Sequence, residues 1–252
     1  MSDPVEEELA LHPDKKLVYS SPTIHARRRR VLKEARKMIA THGLEGFSIR
    51  ALCKQAEVAQ RTLYYAFQNK DRIIALAIRE AYEDVNRYMR YRTSADTLAG
   101  MVDRLIAVNR RNLKARNYTR AVTAIYFAPD ISQDVWNALR EMVFINLRQW
   151  LDRIAQDGDL EDWVNVDALA GDIANIEFST INDWAQGRLD DEGYIVRLIT
   201  AVLSITAGVT RGATHAQAIE MLRNIRATGE VPAFPKPVYA PPVELDEDDD
   251  RA

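Results

Sequence analysis

Gln60, Arg61, Tyr64 and Tyr65 crowd into one short helical pattern, and their chemistry is that of a reader of grooves. Helical spacing sets Leu63 and Phe67 four apart on one inward face, which leaves those four side chains pointing largely outward. A guanidinium fork can read guanine, and aromatic hydroxyls reach phosphate oxygens. Such a set makes contacts and breaks no bonds.

Two elements must position them. Ser48 can cap a first helix running through Leu52 and Gln55, because its hydroxyl accepts an orphan amide of the opening turn. Ala51, Leu52 and Ala56 share a face, and the small alanines let a second helix cross closely. The break between them is Glu57-Val58-Ala59, with Val58 as the apolar plug of the corner. The unit from Ser48 to Lys70 therefore has the layout of a helix-turn-helix that offers its second helix to the major groove. The bland alternative is a solvated helix hairpin inside a bundle.

The run from Gly43 to Ile74 resembles the DNA-binding domain of the TetR (tetracycline-repressor-like) transcriptional regulators. The resemblance rests on Gly46-Phe47-Ser48, Ala56-x-Val58, Thr62-Leu63-Tyr64, Phe67 and Asn69-Lys70-Asp71, preceded by a first helix matched by Arg28 to Thr41. It covers about residues 26–92, and beyond them only the helix count and a Trp184-x-x-Gly187 pattern agree. It implies base contacts from Gln60 and Arg61, and phosphate contacts from Thr62, Tyr64, Tyr65 and Lys70. Arg27, Arg28, Ser48 and Arg50 complete the candidate DNA-binding set. Three departures stand out: Glu57 where the family usually has glycine, Ala59 in place of serine, and Ala66 in place of histidine. The first strains the turn if the residue is left-handed, and the second removes a cap worth ~1 kcal/mol.

Charge points to the same place. Residues 25–92 hold 16 Lys and Arg against 7 Asp and Glu, a net +9, inside a chain whose total is −3. A mildly acidic protein thus contains one strongly basic module, the electrostatic footprint of a polyanion partner. Arg27 to Arg30 fall where the first helix should begin. A positive run opposes the dipole at that end, which favours a role toward phosphates over a purely structural one.

Other chemistry finds little footing. His12, His25, His42 and His215 are far apart, and no His-Glu-x-x-His, paired-cysteine, G-x-S-x-G or Gly-rich phosphate-loop pattern occurs. No catalytic residue, metal site or cofactor is expected. The lone Cys53 excludes an internal disulfide framework and reads as a packing residue. No apolar stretch approaches 18 uncharged residues, and the acidic start lacks the layout of a signal peptide, so a cytoplasmic protein without a membrane span is expected.

The expected fold is all-α: an N-terminal three-helix DNA-binding domain with a helix-turn-helix, plus a larger C-terminal helical ligand-binding and dimerisation domain. The segments are a flexible arm (1–24), the DNA-binding domain (25–70), the effector and dimerisation domain (71–228) and a disordered acidic tail (229–252). Within the larger domain, helices are expected over 71–91, from Ser94 or Thr97 to 113, over 118–128, from Asp130 or Ser132 to 157, from Asn165 or Asp167 to 187, from Asp190 or Asp191 to 209 and over 216–227, with no strand and no repeat. The helices from Asp167 to Val209 are too apolar for one face each, so Phe178, Ile181, Trp184, Val202, Ile205 and Thr206 are candidates for a homodimer seam. Burial inside one protomer is the alternative for them. The resemblance also implies a ligand pocket among the middle helices. Asn109, Asn146 and Glu177 interrupt apolar stripes, and with Met142, Tyr126 and Trp136 they form the candidate set for an effector of unknown identity. The reading is a repressor released from double-stranded operator DNA by that effector; the alternative is an architectural or activating DNA-binding protein with no small-molecule response.

Overall fold

A computed structural model describes residues 22–240, and helices occupy 74% of the described residues. The first unit comprises α1 (Pro22–His42), α2 (Ile49–Gln55), α3 (Gln60–Phe67) and the long α4 (Lys70–Tyr88). The body follows as α5 (Leu98–Lys114), α6 (Arg116–Tyr126), α7 (Gln133–Asp157), α8 (Val166–Ala185), α9 (Asp191–Val209) and α10 (Gly212–Thr228).

Local chemistry sets four of the helix starts. Ser48 accepts from the Ala51 amide, Thr97 from Gly100, Asn165 from Ala168 and Asp190 from Gly193, each satisfying one orphan donor of a first turn. Ala59, by contrast, offers α3 no side-chain cap. Gly158 and Gly229 end α7 and α10 in the left-handed conformation. Gly100 has a different reason to be small: a Cβ there would lie 1.7 Å from the Ser94 carbonyl oxygen.

One continuous apolar core runs from Val31 in α1 to Ile225 in α10. α1 packs on both α4 and α6, α4 lies along α7, and α9 is enclosed by α8, α5 and α10. Arg36 of α1 reaches Glu80 of α4 at 3.0 Å, tying the first unit to the long helix. α9 is the one described helix long and apolar enough by length and composition to cross a membrane. Here its Tyr194, Leu198, Ile199, Val202 and Leu203 are buried against its neighbours, while Arg197 is exposed midway along it.

The chain differs from the sequence expectation at four places. The helix expected to run to Tyr91 ends at Tyr88 and gives way to a strand, β1 (Met89–Arg90), which pairs antiparallel with β2 (Val238–Tyr239). Met89 faces Tyr239 and Arg90 faces Val238, the Ala240 amide donates to the Tyr88 carbonyl, and the Tyr88 and Tyr239 rings meet edge to face at 6.1 Å. Residues 229–240 are therefore part of the fold and not of a tail. The rest of the expected acidic tail, 241–252, and residues 1–21 of the expected arm lie outside the described residues. The arm's last residues, 22–24, already belong to α1. The fourth difference is α10, which is a full turn longer at its start than the 216–227 pattern indicated.

The homodimer candidates need correction. Phe178, Ile181, Trp184, Val202 and Thr206 are all buried within a single protomer, and only Ile205 keeps partial exposure. Trp184 is wholly occupied: its indole donates to Asp191 at 2.8 Å, the Tyr194 ring stacks on it, and the Arg116 guanidinium lies 4.7 Å from its centre. Two apolar faces on one helix require two partners; intramolecular neighbours cover these five side chains, while Ile176, Ala201 and Ile205 stay partly open.

Candidate nucleic-acid interface and inner cavity

α2 and α3 form the two arms of the helix-turn-helix. Leu52, Ala56, Leu63 and Phe67 are buried between them and α1, and Val58 packs half-buried at the corner. The amphipathic spacing of α3 then has one outcome: Gln60, Arg61, Thr62, Tyr64 and Tyr65 all lie on the exposed side, Tyr65 at 84% exposure.

Glu57 occupies the turn at φ +52°, a left-handed conformation that costs an ordinary residue about 1 kcal/mol or more. Its carboxylate lies 3.9 Å from Arg30, but both side chains are largely exposed and such a pair is worth little. Glu57→Gly is accordingly expected to stabilise the protein by about 1 kcal/mol, read as a raised denaturation midpoint at unchanged slope. A lowered midpoint would show that the turn is held by the Glu57 side chain.

The basic candidates divide in two. Arg27, Arg29, Arg30 and Arg50 are exposed. Arg28 is half-buried with its guanidinium 4.9 Å above the Phe67 ring, and burial lowers its pKa. Lys70 is likewise half-buried, its ammonium 5.8 Å from the Phe47 ring. As a cation–π partner Arg28 braces the recognition helix from behind, while Lys70 rests on a ring just ahead of α2. The Ser48 hydroxyl is engaged with the Ala51 amide 3.3 Å away. Sequence reasoning missed the joint into α4: Gln68 is left-handed at φ +69°, Asn69 accepts from the Arg72 amide, and Gln68 accepts from the Arg72 side chain. An Asn one residue before a helical pattern was the available signal.

Inside the body, α4 to α8 surround a cavity of about 60 Å³. Its wall is mostly apolar, from Val108, Val122, Met142, Val143, Phe178 and Ile181. Polar atoms enter from Tyr82, Asn112, Tyr118, Thr119, Thr123 and Glu177. Glu177 is 5% exposed and accepts a 2.7 Å hydrogen bond from the Asn109 amide. Burial pushes its pKa from the usual carboxylate range up to about 7, against the smaller opposing effect of that bond. Asn109 also donates to the Leu105 carbonyl, while its own carbonyl accepts from Asn112 and the Tyr194 hydroxyl. Burial raises the phenol pKa values of Tyr82 and Tyr194, and that of Tyr118 to about 12, so all three stay neutral.

Of the six effector candidates, Met142 and Glu177 line this space. Asn109 and Asn146 stand behind the wall, Asn146 holding the Tyr82 hydroxyl. Tyr126 stacks on the outer face of Phe178 with ring centres 3.9 Å apart. Trp136 lies elsewhere, under the Arg140 guanidinium at 4.4 Å. Phe178 and Ile181, expected at a seam between protomers, are cavity wall instead. Tyr82, Tyr118 and Thr123 went unremarked because nothing in a single helix pattern tells which of its inner residues faces a gap.

Residues 31–77 match the family described as bacterial regulatory proteins, tetR family. The fold is shared with solved structures of low identity. A TetR transcriptional regulator from a Rhodococcus species is 17% identical over 75% of this chain and 100% of its own, with a TM-score of 0.55. The Streptomyces fradiae TetR regulator TylP is 16% identical over 81% of this chain and 97% of its own, at 0.54. NalD of Pseudomonas aeruginosa, described as the secondary repressor of the MexAB-OprM multidrug efflux pump, is 16% identical over 74% and 98%, at 0.50. No curated protein matches the chain.

Proposed function

We propose that this chain, a DNA-binding transcriptional regulator of the TetR family, is a cytoplasmic repressor that leaves its operator when a small molecule occupies the inner cavity. The observation that carries the DNA half is the exposed row Gln60, Arg61, Thr62, Tyr64 and Tyr65, held rigid by buried Leu63 and Phe67 within a +9 module. Arg61 and Gln60 reach base edges; Thr62, Tyr64, Tyr65 and the exposed arginines hold phosphates. The protein acts as a homodimer and performs no chemical conversion. With Val202 and Thr206 occupied inside, the seam uses what α8 and α9 leave partly open, including Ile176, Ala201 and Ile205.

Two helices support the effector half. α4 carries Tyr82 at the cavity wall and continues from the recognition helix at its other end. α6 supplies Tyr118, Thr119, Val122 and Thr123 to the same wall and packs directly on α1. A cavity of about 60 Å³ is well below the ~300–1,000 Å³ of usual ligand sites, so a ligand must move these walls to enter. Moving them tilts α1 and α4, and with them the recognition helix. The ligand shifts the balance only by its differential affinity for the two arrangements.

The test is fluorescence anisotropy of the full protein on the DNA upstream of its own gene against scrambled DNA, across ~50–200 mM salt. Tight sequence-dependent binding with a steep salt slope is expected; equal weak binding to both DNAs points to an architectural role. Arg61→Ala in the same assay is expected to lose ~1–3 kcal/mol and to relax preference at one operator position. Unchanged preference at every position would remove Arg61 from base reading.

A further inference from the structure

Among the described residues Glu177 is the single charged residue lining the cavity, and no Lys, Arg or His lines it. Nor is any ion pair recorded for it among the described residues. A buried carboxylate without a cation is costly and calls for a counter-charge or a proton. Two further groups at the same cavity are unsatisfied: the Tyr118 hydroxyl and the Thr123 Oγ1 are both buried without a hydrogen-bond partner. Thr123 is 1% exposed, so bulk water does not serve it. The remaining wall is aliphatic and aromatic, with Met142 as its most adaptable member.

We propose that the effector is a protonated amine on an apolar body, its ammonium seated against Glu177 and within the reach of the Tyr118 and Thr123 hydroxyl oxygens. The proposal rests on the effector-release reading above and gives that effector a chemical class. An ammonium carries three donors and no acceptor, and the wall offers three oxygens able to accept. An anionic ligand would meet the Glu177 carboxylate with no cation in the lining; Arg36 and Arg111 act on the Tyr118 phenol only from outside it. A neutral ligand at pH 8 would leave that carboxylate with the Asn109 amide and no counter-charge. The apolar body displaces Met142 and leans on Phe178, which pushes the wall formed by α4 and α6 outward.

The test compares three probes of one shape, 4-phenylbutylamine, 4-phenylbutanol and 4-phenylbutyrate, by calorimetry on the full-length protein at pH 8. Release from operator DNA is followed by anisotropy in parallel. The amine is expected to bind about 10-fold or more tighter than the other two, the equivalent of one ~1.4 kcal/mol step. In Glu177→Gln, which keeps an acceptor for Asn109, that preference is expected to vanish while alcohol binding changes less than about 3-fold. A melting curve of the variant checks that it is folded, and the parent comparison among the probes stands without it. Equal binding of all three probes, or an amine preference that survives Glu177→Gln, overturns the amine assignment. So does failure of all three to bind. Release of the DNA by a neutral or anionic compound in the same assay would overturn it while leaving the effector-release reading intact.

Discussion

Phe67→Ala is expected to destabilise the protein by ~3–5 kcal/mol and to abolish operator binding with it. The Phe67 ring is 2% exposed at the last turn of the recognition helix, where it closes the wedge begun by Leu63. It is also the surface on which the Arg28 guanidinium rests, so its removal leaves a cavity and an arginine without its stacking partner. The recognition helix is only eight residues long, too short to persist without tertiary packing. The loss should therefore appear first as local opening of α1 to α3, with the body helices still folded. Denaturant unfolding followed by hydrogen exchange separates the two parts. Tyr65→Ala is the matched control: the side chain is 84% exposed, so stability should move by less than ~0.5 kcal/mol while DNA affinity falls. Loss of DNA binding in Phe67→Ala with full protection of the α3 amides would show that the ring acts in some way other than packing.

The second large effect concerns Glu177. Burial raises its pKa to about 7 from an ordinary value of 4.5. Between those two values the unfolded chain has already lost the proton that the folded chain still holds. Folding stability therefore falls as pH rises through that window, at ~1.4 kcal/mol per unit, and the penalty is constant above it. The full penalty is ~3 kcal/mol by that slope. Glu177→Gln removes the titration and keeps the amide partner. It should match the parent near pH 4.5 and exceed its stability by up to ~3 kcal/mol at pH 8. Unfolding curves across that range decide it. Parallel pH profiles for parent and variant would mean that the carboxylate is solvated in the folded protein.

The same residue shows where reading the chain alone stops. The interruption of an apolar stripe by Glu177 was visible, as was that by Asn109, yet their pairing joins residues 68 apart. The recognition unit was legible in far more detail. The Ser48 cap, the Leu63–Phe67 face and the suspect turn at Glu57 depend on atoms within four residues of one another, and there local rules suffice.

The seam candidates show a different limit. Apolarity on two faces of α8 and α9 was plain in the sequence, but composition does not say whether the second face meets another helix of the same chain or a second copy. Packing answered that with α5, α6 and α10, which lie on these helices and take up Phe178, Trp184, Val202 and Thr206. The β1–β2 ladder is a similar case. Met89 and Tyr239 have no pattern in common, and their strands are two residues each. Only the path of the chain after Gly229 brings them together.

What the sequence determined by itself was the helical class, the recognition helix with its outward residues and the basic module, because helix periodicity, capping and charge are properties of neighbours along the chain. Tertiary structure alone decided which polar residues share a cavity, which apolar faces are already covered and where the C-terminal segment lies. Those depend on close packing between segments far apart in sequence, and a single side chain's burial is known only once every neighbour has been placed.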